Sequence, residues 1–243
     1  MSEFKNTRWA DEKFSKMYRD AADIYMPFRR QFFEVTKSLY SYYFSGIAET
    51  RFLDLGCGDG SFAEELLKNF SPAKVTLTDG SVDMLETAKK RLSNISNVEY
   101  IEAGFQTIVH SDILKGPFDF VFSSFAIHHL PFKEKKLLYS SIYDLLSQGG
   151  CFVHNDVIAP QSRRIEDWYL SIWREWIDRF PDKKKIEGME VIPEKYRESP
   201  DDFPDPLETH IELLRETGFS DVDCYFKYGI FALFGGFKKS NDI

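Results

Sequence analysis

Five short apolar runs, at residues 51–55, 74–78, 98–102, 118–123 and 151–155, alternate along the chain with segments whose apolar residues recur at helical spacing. A nearly unbroken apolar run bounded by turns suits a strand buried on both faces, and the intervening period marks amphipathic helices. Repetition of that unit predicts a doubly wound α/β fold, a parallel sheet with helices on both faces. The helical patterns are Phe62, Leu66, Leu67 and Phe70, then Val82, Leu85, Ala88 and Leu92, then 134–146, while the third strand is followed by a polar connection. Gly149-Gly150 is expected to stop that third helix and open the fifth strand. Near the end, a helix over 207–217, Gly218 as its stop, a strand over 221–227 and the run 230–237 predict an antiparallel hairpin at the sheet edge. Ahead of the alternation, Phe14, Tyr18, Ala21, Tyr25, Phe28, Phe32, Val35 and Leu39 predict one or two helices. The charged stretch 160–205, with Trp168, Trp173 and Trp176, interrupts the alternation as an insert. The expected partition is a helical lid over 1–48, a core over 49–159, a helical cap over 160–205 and a closing helix and hairpin over 206–243.

Composition removes whole classes of function. With 43% apolar residues in 243, the chain has enough material for a continuous core, and disorder is excluded as the default. A net charge of −8 argues against nucleic acid as a partner, and leaves the short runs Lys133-Glu134-Lys135-Lys136 and Lys183-Lys184-Lys185 as solvated helix surface. No run approaches the roughly 18 apolar residues of a membrane span, and the start shows no apolar signal core. Cys57, Cys151 and Cys224 lie far apart without metal-ligand spacing, so neither a disulfide framework nor a metal site is expected and a reducing cytoplasm fits.

The segment Leu53-Asp54-Leu55-Gly56-Cys57-Gly58-Asp59-Gly60 closes the first strand and opens a helix. Its glycines let backbone turn tightly and lie close to a ligand. The dinucleotide pattern GxGxxG would need its third glycine at position 61, where Ser61 stands, so a nicotinamide dehydrogenase is disfavoured. Asp54 suits a cationic or hydrogen-donating ligand group, and Asp79, ending the second strand, suits a pair of ribose hydroxyls.

On these residues, with TLTDGSVDML, FDFVFSSFAIHHL and LLSQGG after them, the chain resembles the class I S-adenosylmethionine-dependent methyltransferases. That resemblance implies a Rossmann-like seven-stranded, mostly parallel sheet with the last strand antiparallel, and S-adenosyl-L-methionine as cofactor. It implies that Gly56, Cys57 and Gly58 contact the methionine part through their backbone, that Asp79 holds the ribose, and that Gly80, Met84 and Phe105 line the adenine; Asp54 and Gly60, from the same loop, are further cofactor candidates. Ser124 falls near the sulfonium; Arg29 and Arg30, of which only one can point inward, are candidates for the cofactor carboxylate, with a solvated face as the competing role. The family commonly has an Asp where this chain has Gly104, which removes one expected acceptor for the adenine amino group. A narrower likeness, carried by the aromatic N-terminal helices, Tyr196-Arg197 and Leu207-Glu208-Thr209-His210, is to the carboxy-S-adenosylmethionine synthases that supply tRNA wobble-uridine modification. There Arg197 would grip the extra carboxylate.

Methyl transfer is an in-line displacement at a sulfonium, so the protein must align the acceptor and, for a hydroxyl or ammonium, remove a proton. His128 and His129 follow the fourth strand, at the mouth where a methyl would emerge, and are the candidate bases. Tyr18, Tyr25, His154, Asp156, Trp173 and Arg197 are the candidate acceptor contacts; for Asp156 a helix cap and for the aromatics core packing are the competing roles. The expected activity is methyl transfer to the O or N of a small molecule, with a homodimer allowed. A carboxy-S-adenosylmethionine synthase and a non-catalytic cofactor-binding protein are the alternatives.

Overall fold

The computed structural model describes residues 21–180 and 192–240. Strands β1 (Arg51–Leu55), β2 (Lys74–Asp79), β3 (Val98–Glu102), β4 (Phe118–Ser124), β5 (Leu146–Val157), β6 (Ser220–Tyr228) and β7 (Phe231–Phe237) form one sheet in the order β3-β2-β1-β4-β5-β7-β6. β1 to β5 pair in parallel, and β7 runs antiparallel to both β5 and β6. The expected seven-stranded, mostly parallel sheet is present, with β7 wedged inside the hairpin edge that β6 closes. The helices are α1 (Arg29–Phe44), α2 (Ser61–Leu67), α3 (Val82–Arg91), α4 (Phe105–His110), α5 (Phe132–Leu145), α6 (Arg163–Asp178), α7 (Ile192–Arg197) and α8 (Leu207–Thr217).

Successive strand residues point to opposite faces, so each central strand feeds two cores. Phe52, Phe120 and Cys151 join a core under α1, α2, α3 and α6, while their neighbours Leu53, Val121 and Phe152 join one under α4, α5 and α8. β3, at the far edge, has none of its five residues fully buried, and its sequence, VEYIE, accordingly carries two glutamates. α1 places Phe32, Phe33, Thr36, Tyr40 and Phe44 on its buried face. Tyr40 and Phe44 meet the Phe120 ring edge-on at 5.2 and 5.7 Å between centroids, and the Tyr40 hydroxyl shares a 3.0 Å hydrogen bond with Thr50 Oγ1. The described part of the N-terminal segment is thus a packed layer of the core.

Three expectations change on contact with the structure. The helix before β5 stops at Leu145, and Gly149-Gly150 lie inside the strand, where the pairing with β4 shifts register. The helix end needs no glycine because the Lys238 ammonium donates to the carbonyls of Tyr143 and Leu146, each at 2.8 Å. The connection after β3 contains a helix, α4. Lys135 is fully buried: it forms a 2.6 Å ion pair with Asp205 and also donates to the Phe203 carbonyl. Lys183-Lys184-Lys185 lie outside the described residues.

Those Lys135 bonds close a loop in the chain. After β5 the chain departs at Ala159, runs out through α6 and returns at Pro206, which bridges to Ala159; the Ala159 N–H donates to the Asp205 carbonyl at 3.0 Å. The excursion is also held to the N-terminal segment: Trp173 Nε1 donates to the Tyr25 carbonyl at 2.6 Å and Trp176 Nε1 to that of Ile24 at 2.8 Å. Among the described residues no helix is long and apolar enough to cross a membrane.

Phe120 touches α1 and β1 from the middle of the sheet with no exposed surface. Phe120→Ala is expected to cost about 3–5 kcal/mol of unfolding free energy, read as a lower urea midpoint with little change in slope.

Candidate active site

The strand order reverses at β1 and β4, so the two chains leaving their carboxyl ends diverge and leave a crevice, the usual ligand position in such sheets. The crevice is a cavity of about 350 Å³. On the β1 side, the Cys57 N–H donates to the Thr78 carbonyl at 2.8 Å and the Gly58 N–H to Asp79 Oδ2 at 2.9 Å, tying the glycine loop to the end of β2. Gly56 has φ +67°, and a Cβ there would stand 2.6 Å from that of Ala126, so only glycine lets the β1 and β4 loops approach this closely.

Two carboxylates sit in this wall. Asp79 accepts from the Gly58 and Ser81 N–H groups; burial raises its pKa, with those backbone bonds opposing the rise. Asp54 is buried, and its Oδ2 has no hydrogen-bond partner among the described residues. Burial, with Asp79 and Asp59 nearby, pushes its carboxyl well above the usual range. A buried carboxylate in that condition is costly unless a cationic or donating ligand group meets it.

Of the residues singled out in the sequence, Asp54, Gly56, Cys57, Gly58, Asp79, Gly80, Met84, Gly104, Phe105, Ser124 and His129 line the cavity. Gly60 does not: at φ +75° it begins α2 and packs on Ala88, 3.0 Å from a would-be Cβ. Arg30 does not either; its side chain is 87% exposed and pairs with Asp23. The neighbouring Arg29 takes the inward position, bonding Asp23 at 2.8 Å and Ser61 Oγ at 2.5 Å, because α1 can turn only one of two adjacent residues toward the crevice. Tyr25 and Trp173 are buried in the contact between α6 and the N-terminal segment, away from the cavity. Arg197 meets Glu166 at 3.1 Å and Asp167 at 2.5 Å on α6, outside the cavity lining. Tyr18 lies outside the described residues.

His128, His154 and Asp156 form a buried network behind the cavity. Asp156 caps no helix. Its Oδ1 accepts from His128 Nδ1 at 2.5 Å and from the Val157 N–H at 2.9 Å, and its Oδ2 from the His128 N–H at 2.9 Å and His154 Nε2 at 2.8 Å. Burial opposes its charge, but His128 and His154 together outweigh that and hold the carboxyl well below its ordinary value. With Nε2 donating to Asp156 and burial keeping its pKa low, His154 accepts at Nδ1 from the Tyr139 hydroxyl at 2.9 Å. The same hydroxyl then accepts from His210 Nδ1 at 2.8 Å, which fixes that tautomer as well.

Sequence reasoning missed several cavity residues. Arg91 clamps the glycine loop through Asp59 at 2.5 Å and Glu64 at 2.9 Å, an arrangement that periodicity does not show. Phe125, at φ +52°, turns the chain sharply after β4. Gln106 donates its amide nitrogen to Glu134 Oε2 at 2.8 Å, leaving its oxygen 3.6 Å from where a Gly104 Cβ would be.

Burial lowers the His210 pKa from 6.5 to about 3, with His154 and Lys135 adding to the effect. A depressed imidazole keeps its full contribution above the unfolded value near 6.5 and loses it as pH falls from there toward 3. Urea stability is therefore expected to decline below pH 6.5, and His210→Phe to flatten that decline by up to one proton's worth of slope.

Residues 52–150 match the family model described as Methyltransferase domain. The carboxy-S-adenosyl-L-methionine synthase of Nautilia profundicola is 24% identical over 232 residues, 94% of this chain and 93% of that protein. An O-methyltransferase family protein of Burkholderia thailandensis shares the fold with a TM-score of 0.66 at 14% identity, over 98% of this chain and 64% of that one. The magnesium protoporphyrin IX methyltransferase of Synechocystis PCC 6803, solved with bound SAH, shares it at 0.60 and 15%, over 95% and 96%. Residues 52–150 match a methyltransferase domain, and the chain as a whole shares the fold of solved methyltransferases.

Proposed function

We propose that the protein transfers the methyl group of S-adenosylmethionine to an oxygen or nitrogen of a small molecule held between the cavity and the returning segment 198–205. The observation that carries this reading is the unpartnered, buried Asp54 oxygen beside the Gly56–Gly58 backbone and Asp79 in one cavity. Asp54 would meet the ammonium of the methionine part, the Gly56 and Gly58 backbone its carboxylate side, and Asp79 the ribose hydroxyls. Phe105 and Met84 would flank the adenine, and the Gln106 oxygen would accept from its amino group in place of the Asp absent at Gly104. The cofactor supplies a methyl group activated on a sulfonium; these residues only hold and orient it. The small cavity and the net charge of −8 support a small acceptor over a nucleic acid.

A second reading rests on the likeness to carboxy-S-adenosyl-L-methionine synthase over 94% of the chain. The engagement of Arg197 by Glu166 and Asp167 on α6 counts against it, since that guanidinium would be needed at the cofactor's extra carboxylate.

S-adenosylmethionine and S-adenosylhomocysteine are expected to raise the melting temperature and NAD to leave it unchanged; the reverse pattern would end the reading. Asp79→Ala is expected to weaken S-adenosylhomocysteine binding at least tenfold, about 1.4 kcal/mol, in a calorimetric titration. Mass spectrometry of any co-purifying nucleoside separates the two readings, a carboxylated species favouring the second.

A further inference from the structure

The turn after β4 and the return of the excursion bring three ligand-type side chains together beside the cavity, of which His129 lines it. One ring nitrogen of His128, one of His129 and a carboxylate oxygen of Asp202 all lie within 4.8 Å of one another. His129 Nδ1 is 2.8 Å from Asp202 Oδ1, and His128 Nε2 is 3.6 Å from the same oxygen. An ion about 2.1 Å from each of two ligand atoms at tetrahedral or octahedral angles spaces those atoms by roughly 3.0–3.4 Å. The two separations bracket that spacing.

The Asp156 network adds an independent argument. Its carboxylate takes the His128 Nδ1 proton at 2.5 Å, so His128 presents Nε2 toward Asp202. That nitrogen faces the Asp202 oxygen at 3.6 Å in a buried setting, too far for a direct hydrogen bond and wide enough for an ion held by both. A carboxylate behind an imidazole is also the usual way of fixing the tautomer of a metal-binding histidine.

We propose that His128, His129 and Asp202 bind a divalent transition-metal ion of the zinc, iron or cobalt type, with its open coordination positions facing the cavity that His129 lines. Two imidazoles and one carboxylate suit such ions better than magnesium or calcium, which favour all-oxygen shells. Three protein ligands leave room for an exogenous one. That ligand would be a hydroxyl oxygen of the acceptor, which on the metal would give its proton to solvent water more readily and keep a lone pair to take the methyl group, with S-adenosylhomocysteine as the leaving group, so no side-chain base is required. The acceptor role rests on the methyltransferase reading; the ion site does not. Cysteine and histidine spacing gave no sign of it, because adjacent histidines are completed by an Asp from the far end of the excursion.

The test is titration of chelator-treated full-length protein with Co2+. One equivalent is expected to bind with visible d–d absorption, at least tenfold more weakly in Asp202→Asn and His129→Gln, while Asp202→Glu retains binding. Stabilisation by S-adenosylhomocysteine shows that each variant is folded. No stoichiometric Co2+ in the wild type, or equal affinity in both loss variants, overturns the site and leaves a protonated His–Asp latch in its place. If the asparagine and glutamine variants fail to fold, the wild-type stoichiometry and Asp202→Glu decide. Co2+ binding without S-adenosylhomocysteine binding would keep the ion site and remove the methyltransferase reading.

Discussion

A carboxylate buried at the end of β5 organises the far side of this molecule. Asp156 has 1% of its surface exposed, and an isolated charge there would be prohibitive. Four donors remove that penalty, and each comes from a residue whose position is thereby fixed: the Val157 backbone, the His128 backbone and ring, and the His154 ring. Through His154 the constraint passes to Tyr139 on α5 and His210 on α8. One charge therefore locks the turn after β4 onto β5 and both onto two helices. Loss of any single donor would leave the others bonded to a carboxylate that is only partly compensated, which is the costly case for buried charges.

The glycine-loop side of the cavity was legible in the sequence because its constraints are local. Gly56 must be glycine for the φ and for the approach to Ala126, and Asp79 must end its strand to meet the Gly58 N–H. Both requirements write themselves into neighbouring residues. Strand and helix alternation was legible for the same reason. Arg29 and Arg30 were indistinguishable in the sequence, since the choice between them depends on the phase of α1 over the crevice. Lys135 was read as surface because a cationic residue in an amphipathic helix almost always is; only Asp205, brought back by the excursion, explains its burial. Gly149-Gly150 looked like a helix stop because the actual cap, Lys238, comes from the other end of the chain.

The contact between the turn after β4 and the returning excursion is built quite differently, from the His128–His129 turn on one side and residues 201–205 on the other. The Phe203 N–H donates to the His128 carbonyl at 2.8 Å, and Lys135 holds Asp205. These contacts join segments separated by most of the excursion, so no short motif could encode them. They also divide the labour of the fold. The sheet and glycine loop present a fixed cradle whose chemistry is set by backbone geometry. The excursion, anchored at its neck by Ala159 and Pro206 and on α6 by Arg197, carries the residues free to differ without disturbing that cradle.

That division has a physical consequence for specificity. On the proposed reading, a change in the excursion would act on the acceptor through Asp202 and its neighbours, while the cradle keeps Asp54, Asp79 and the glycine loop in place through β1 and β2. A change at Asp156 acts the other way: it leaves the excursion's sequence intact but releases His128, the residue on which the returning backbone is seated. The proposed acceptor wall would consequently be adjustable at its rim and intolerant at its base. Selectivity among acceptors should therefore follow residues 198–205, and the existence of the site should follow the buried carboxylate beneath them.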